Sequence, residues 1–321
     1  MRRLFFALFA LILSCGCRTL PTERPVTEEI GDVTLLRYTF SPGEELPYVL
    51  RSSVSSQAPG VIPSSLSVKH EVEFHRKVLE VLPGGRAKIA VVIDKLKFVA
   101  SGPGREDIVL DSDDAETLRR CPEETRGIAF LVGKEIEIEQ RPSGEITAVT
   151  GLAPIYREAL SELSRNERQP VERLMREMAN NPSGLLGLDV VFPPGPVRDG
   201  QSWLAEKGPF PMFCGRLAYD CEYLFKEVSD RYAIVEFKGE LGAAESQPGS
   251  RMRELRKATV EGVFAFDLEK GTLREMHGES SSFVRAGGRE QLRTRTTWEL
   301  TLRNKRFSGE TENLPQTEAP K

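Results

Sequence analysis

Residues 70–75 read HEVEFH, two histidines around two carboxylates, a set that holds zinc when it lies on a helix. A zinc-protease helix needs His at i and i+4, with Glu beside the first, so that both imidazoles share one face. Here the histidines are five apart, and the surrounding SVKHEVEFHRKVLEVL (67–82) alternates apolar with polar, the period of a strand. Alternation sends His70 and His75 to opposite faces, so no metal is expected. His277, the third histidine, has no nucleophile near it in sequence.

The other groups that could carry chemistry are weaker still. DSDD (111–114) offers oxygen ligands for calcium but lacks the alternating carboxylates, Gly and distal Glu of an EF-hand loop. A solvated loop, or Asp at the N-cap of a helix over DAETLRR, explains the same residues. GESSSF (278–283) lacks the second Gly of a nucleophile elbow. GPGRE (102–106) and AGGRE (286–290) are Gly turns without the strand-to-helix setting of a phosphate loop. Trp203 in DGQSW and Trp298 in the last apolar run are read as rings that seal a sheet edge; Trp203 could also line a cleft. Paired carboxylates for glycosidase chemistry can come from distant strands, and 48 acidic residues leave that possibility open. No catalytic motif is found, so the expectation is no enzyme, no cofactor and no catalytic residue.

Five cysteines remain. Cys214 and Cys221 lie seven apart; on one strand their Cα atoms would stand roughly 20 Å apart, beyond the reach of a disulfide. A turn between them would rescue the pairing, so any disulfide among Cys121, Cys214 and Cys221 stays undecided.

Cys15 and Cys17 belong to a different context. Met1-Arg2-Arg3 is a basic start, and Leu4–Leu13 carries no charge. That run is too short for a bilayer span of about 20 residues and fits the apolar part of a signal peptide over 1–14. Its end, ILSC (12–15), resembles a bacterial lipobox. The resemblance implies cleavage before the cysteine and diacylation of its thiol, on Cys15 or alternatively Cys17. Two acyl chains hold a protein to a membrane where one would not. Residues 15–32 then form a Pro-, Thr- and Glu-rich tether, and 308–321 have the same composition; both are expected to be disordered. The diderm sorting rule retains a lipoprotein at the inner membrane when Asp follows the lipidated Cys. Here that residue is Gly16 or Arg18, which favours the outer membrane, with the chain facing the periplasm.

Composition bounds the rest. The chain has 321 residues, 29% charged, with a formal net charge of −4. No basic stripe interleaved with aromatics marks a nucleic-acid surface, so no nucleic acid is expected. No second apolar run of spanning length occurs.

Most of the chain reads as strands: 33–40, 47–56, 67–82, 86–101, 134–140 with a return over 146–152, 225–241 as a hairpin, 262–280, and 289–304. FKEVSDRYAIVEFKGEL resembles RKVLEVLPGGRAKIAVVID, and GVFAFDLEKGTLREMHGES resembles KEIEIEQRPSGEITAVTGL, which suggests an internal duplication. The expected domains are therefore a first β-meander half (33–151), a helical insert with a Pro-rich connector (152–197), and a second half (198–307). Helical spacing of apolar residues predicts two helices, about 153–165 and 170–180, with Pro170 at the start of the second. The fold class is mainly β with a minor helical insert: two similar antiparallel sheets, half-barrel or sandwich-like, flanking a central pair of helices.

Together ILSC (12–15), GQSW (200–203) and FDLEKGTL (266–273) resemble uncharacterised bacterial envelope lipoproteins built from a lipobox, a tether and a duplicated β-meander. At fold level there is also a distant analogy to lipoprotein carriers, whose half-barrels cover an apolar cavity. The resemblance implies a non-enzymatic, lipid-anchored binding module for an apolar ligand or an envelope protein. Two alternatives stand beside it: a hydrolase acting on cell-envelope polymer, and a purely structural envelope scaffold. A carrier predicts an apolar pocket between sheet and helices; a hydrolase predicts two carboxylates or a Ser/His pair in one cleft.

Overall fold

Alternating apolar and polar residues give each strand one face to bury, and in this chain the strands bury it together in one sheet. The computed structural model describes residues 33–57, 65–104, 106–180, 190–205, 219–241, 254–286 and 289–303. Its strands are β1 (Glu45–Gln57), β2 (Ser65–Val81), β3 (Ala87–Ser101), β4 (Ile108–Asp111), β5 (Glu135–Gln140) and β6 (Ile146–Thr150). The second series is β7 (Ser202–Ala205), β8 (Tyr219–Ser229), β9 (Tyr232–Leu241), β10 (Glu254–Asp267), β11 (Thr272–Ala286) and β12 (Arg289–Leu302).

All twelve join one open antiparallel sheet in the order β6-β5-β3-β2-β1-β12-β11-β10-β9-β8-β7, with β4 beside β3. This corrects the expectation of two sheets. The join is the β1–β12 ladder, running from Tyr48 opposite Leu302 to Gln57 opposite Arg293. Separate sheets would leave both of these long strands as bare edges, and an unpaired edge is a liability. Alternation fixes which face of a strand is apolar but not which strand lies beside it.

Turn chemistry follows the sequence. Gly84 and Gly85 take φ of 81° and 76° in the β2–β3 turn, a region open to Gly. In the β10–β11 turn the Asp267 carboxylate accepts from the Glu269 and Lys270 N–H groups at 3.1 and 3.0 Å.

Two stretches depart from expectation. Residues 33–40 are extended but make no strand; Thr34 bridges Val197, while the Tyr38 N–H reaches Pro142 and the Thr39 N–H reaches Gly271. Leu36 and Tyr38 are buried there with Val190, Phe192 and Val197 of the Pro-rich connector. Residues 102–126, outside the expected strands, carry β4 and two short helices, α1 (Ala115–Arg120) behind its Asp cap and α2 (Glu123–Arg126).

The two expected helices exist as α3 (Leu152–Glu162) and α4 (Arg165–Asn180), but they are not a central layer between sheets. They pack on each other, and α4 also packs on α2 and the 3₁₀ turn Gly127–Leu131. α4 starts five residues before Pro170 because Ser164 and Glu167 form a capping box. The Ser164 N–H donates to the Glu167 carboxylate at 2.9 Å, and the Glu167 N–H to Ser164 Oγ at 3.3 Å. Pro170 then costs the helix one internal hydrogen bond. None of the described helices is long and apolar enough to cross a membrane.

The buried face carries Tyr48, Leu50, Val72, Phe74, Phe264, Phe266, Leu300 and their neighbours in one continuous core. Within this core the hollow between Tyr38, Tyr48, Arg76 and Thr272 is only ≈ 10 Å³.

Candidate functional site

Strand register lines up one row of residues across nine strands. In order they are Phe98, His70, Ser52, Trp298, Gly278, Gly262, Phe237, Tyr223 and Trp203. The side chains of its seven non-glycine members point to the buried face. The residues on either side of them therefore point the other way.

That other face holds an open trough of ≈ 810 Å³. Its floor is the backbone of the row, from Ser52 and His70 through Trp298, Gly278 and Gly262. Two lines of side chains wall it. One is Lys97, Glu71, Arg51, Glu299, His277 and Val263; the other is Val99, Lys69, Ser53, Thr297, Glu279 and Glu261. Six strands lie side by side under the trough, about 24 Å at 4.8 Å per strand, and the two lines stand about 6.7 Å apart.

The charges are ordered along it. Lys97, Lys69 and Arg51 gather over β3, β2 and β1, while Glu299, Glu279 and Glu261 gather over β12, β11 and β10. Arg51 donates to Glu71 at 2.8 Å and Arg295 to Glu279 at 2.5 Å, so these charges are partly spent on each other. Lys97 lies 3.9 Å from Asp111. Among the described residues Lys69 and Glu261 have no ion-pair partner.

A Ser/His pair does occur. Ser52 Oγ and His70 Nδ1 lie 3.2 Å apart, and the His70 ring packs on Phe98 at 5.2 Å. Both point to the buried side. Burial pushes the His70 pKa down to about 4, so the ring is neutral at pH 7 and a weak base.

The expected residues scatter. His75 faces away from His70 and meets Asp94 at 2.8 Å, as alternation required. His277 walls the trough. Of DSDD, Asp114 caps α1 by accepting from the Glu116 N–H at 2.8 Å, and Asp111 and Asp113 flank Lys95. No group of three metal-ligating side chains occurs among the described residues. Ser280 to Ser282 lie along β11, without an elbow. Trp203 stacks on Tyr223 at 5.3 Å and donates to the Val191 carbonyl at 3.0 Å, which seals the sheet edge. Cys121 and Cys221 are buried free thiols; Cys15, Cys17 and Cys214 lie outside the described residues.

Sequence reasoning missed Lys69, Arg51, Glu261 and Glu279. Each is an outward residue on an alternating strand, like any solvated charge. Only lateral strand order puts them around one trough.

A family model of unknown function, DUF6263, matches residues 84–273. The chain belongs to the DUF6263 family. The match runs through both expected halves without dividing them, so the family gives no sign of a duplicated unit. No curated protein matches the DUF6263 chain. Among solved structures it is similar to one described as lipid–protein interactions in lipovitellin, with a TM-score of 0.52 and 11% identity. That likeness covers 83% of this chain and 25% of the lipovitellin chain, so the DUF6263 chain spans about a quarter of it and shares a fold. DynF from the dynemicin biosynthesis pathway of Micromonospora chersina also aligns, at 9% identity over 89% of this chain and 92% of that one, with a TM-score of 0.20.

Proposed function

We propose that this DUF6263 chain is a non-enzymatic binding module of the bacterial cell envelope, held at a membrane by lipid on Cys15 and facing the periplasm. The observation that carries the binding reading is the trough: ≈ 810 Å³, open, and walled by charges of both signs. Such a surface suits a polar protein partner better than an apolar ligand. The anchor rests on the uncharged run Leu4–Leu13 ending in ILSC.

A photo-crosslinking amino acid at Thr297, in the producing cell, tests the binding site. Adducts are expected at Thr297 and absent at Arg119, which is exposed on α1. Equal adducts at both positions would remove the reading. For the anchor, labelled fatty acid is expected to enter the wild-type chain and be lost in Cys15→Ser; retention in both Cys15→Ser and Cys17→Ser would sink it.

A second reading, an apolar ligand, is favoured by one specific feature. On the buried side, the next row beyond the rings is built of small residues: Val54, Thr296, Ser280, Val260, Gly239 and Cys221. The lipovitellin likeness agrees with a lipid there. Mass spectrometry of lipids extracted from the purified mature chain decides it; a clean extract removes this reading.

A further inference from the structure

The trough has a direction, and the direction says what would fill it. Along one wall the order is Lys69 on β2, Ser53 on β1, Thr297 on β12, Glu279 on β11 and Glu261 on β10. The two end charges, Lys69 and Glu261, have no ion-pair partner among the described residues, whereas Glu279 is held by Arg295 at 2.5 Å. The ends are four strand spacings apart, about 19 Å, which an extended chain of about six residues covers. Between them stand two hydroxyls, Ser53 and Thr297, of the kind that bond a peptide backbone.

Resting on the reading of the trough as a binding site, we infer that its occupant is an extended polypeptide segment lying across the strands. It carries an acidic side chain over Lys69 and a basic side chain over Glu261.

Other chemistries fit less well. A nucleic-acid backbone is negative throughout and would meet Glu261, Glu279 and Glu299 at one end. A zwitterionic lipid headgroup holds its two charges on neighbouring groups and cannot reach both ends. An oligosaccharide platform would want exposed rings, and Trp298, Phe237 and Tyr223 are buried. A second copy would set one hollow face against another.

The test uses three capped six-residue peptides with Ser/Gly interiors and termini that are acid–base, acid–acid or base–base. Isothermal titration at low salt against the full chain is expected to rank acid–base first, by about fivefold over either other peptide. Lys69→Glu is expected to move the preference to base–base, and Glu261→Lys to acid–acid. Both positions are exposed, so the fold is expected to persist, with near-ultraviolet circular dichroism as the check. Equal binding of all three peptides, an unchanged ranking in both variants, or no binding of any peptide overturns the inference. So does a dimer in sedimentation that Lys69→Glu dissolves, which would make a second copy the occupant. If Thr297 still crosslinks selectively while the peptides fail, the polypeptide inference falls and the binding site stands.

Discussion

Gly262 and Gly278 face each other across the β10–β11 ladder, and two rings occupy the space their side chains would need. A Cβ on Gly278 would come 2.2 Å from Cζ2 of Trp298, and one on Gly262 would come 2.4 Å from Cζ of Phe237 and 2.2 Å from the His277 carbonyl oxygen. The glycines thus let the ring row close over the sheet on one side while their backbone floors the trough on the other.

Gly278→Ala is therefore expected to destabilise the protein by about 1–3 kcal/mol, the cost of overpacking a core. Denaturant unfolding measures it, and the emission of Trp298 should shift in the native state. Thr297→Ala, an exposed neighbour, is the control and should stay within about 0.5 kcal/mol of wild type. Equal stabilities for the two variants would count against the ring-over-glycine packing.

Glu167 ties α4 to α2. It accepts from the Ser164 N–H and takes the Arg126 guanidinium at 2.5 Å, while remaining mostly buried. Burial alone would raise its pKa, but the Ser164 hydrogen bond and Arg126 outweigh burial and lower it. A carboxyl lowered on folding contributes stability above its unfolded pKa of about 4.3 and loses it as pH falls through the folded value. Glu167→Ala should cost about 1–2 kcal/mol at pH 7. Glu167→Gln should remove part of the fall in stability below about pH 4.3.

His70 has the opposite chemistry. Its pKa falls to about 4 because burial disfavours the imidazolium. The unfolded chain, with a histidine pKa near 6.5, then binds the proton more readily than the folded one. Stability is full above about pH 6.5 and declines as pH drops towards 4, by on the order of 3 kcal/mol for the whole interval. Chemical denaturation at pH 7.5, 6 and 5 should show this slope, and His70→Gln should flatten it. A His70→Gln curve with the wild-type slope would move the cause elsewhere.

Cys221 is fully buried, and burial pushes its pKa up to about 12; Cys121 is also buried and raised by burial. The thiolate is the reactive form, so both should resist alkylation in the native state. With Cys15, Cys17 and Cys214 replaced by Ser, maleimide is expected to label neither thiol within minutes at pH 7 and both after unfolding. Rapid native labelling of Cys221 would mean that β8 opens readily.

Some of this was legible residue by residue. The alternation in SVKHEVEFHRKVLEVL placed His70 and His75 on opposite faces, and that is where they are. DAETLRR began with an Asp cap, and Asp114 makes it. These features depend on neighbours within a few positions, which is the range over which sequence pattern speaks. Pro170 misled for a related reason: its local rule put a helix start at 170, while the Ser164–Glu167 pair set the start earlier.

The sequence by itself determined a β-rich chain, its hairpin turns, the faces its strands bury and the apolar N-terminal run with ILSC at its end. Tertiary structure alone decided that β1 lies beside β12, because lateral pairing is a contact between residues some 240 positions apart that leaves no local period. That one pairing makes two expected sheets into a single one. It also brings Arg51 beside Glu299 and Lys69 into line with Glu261, turning scattered outward charges into the wall of one trough.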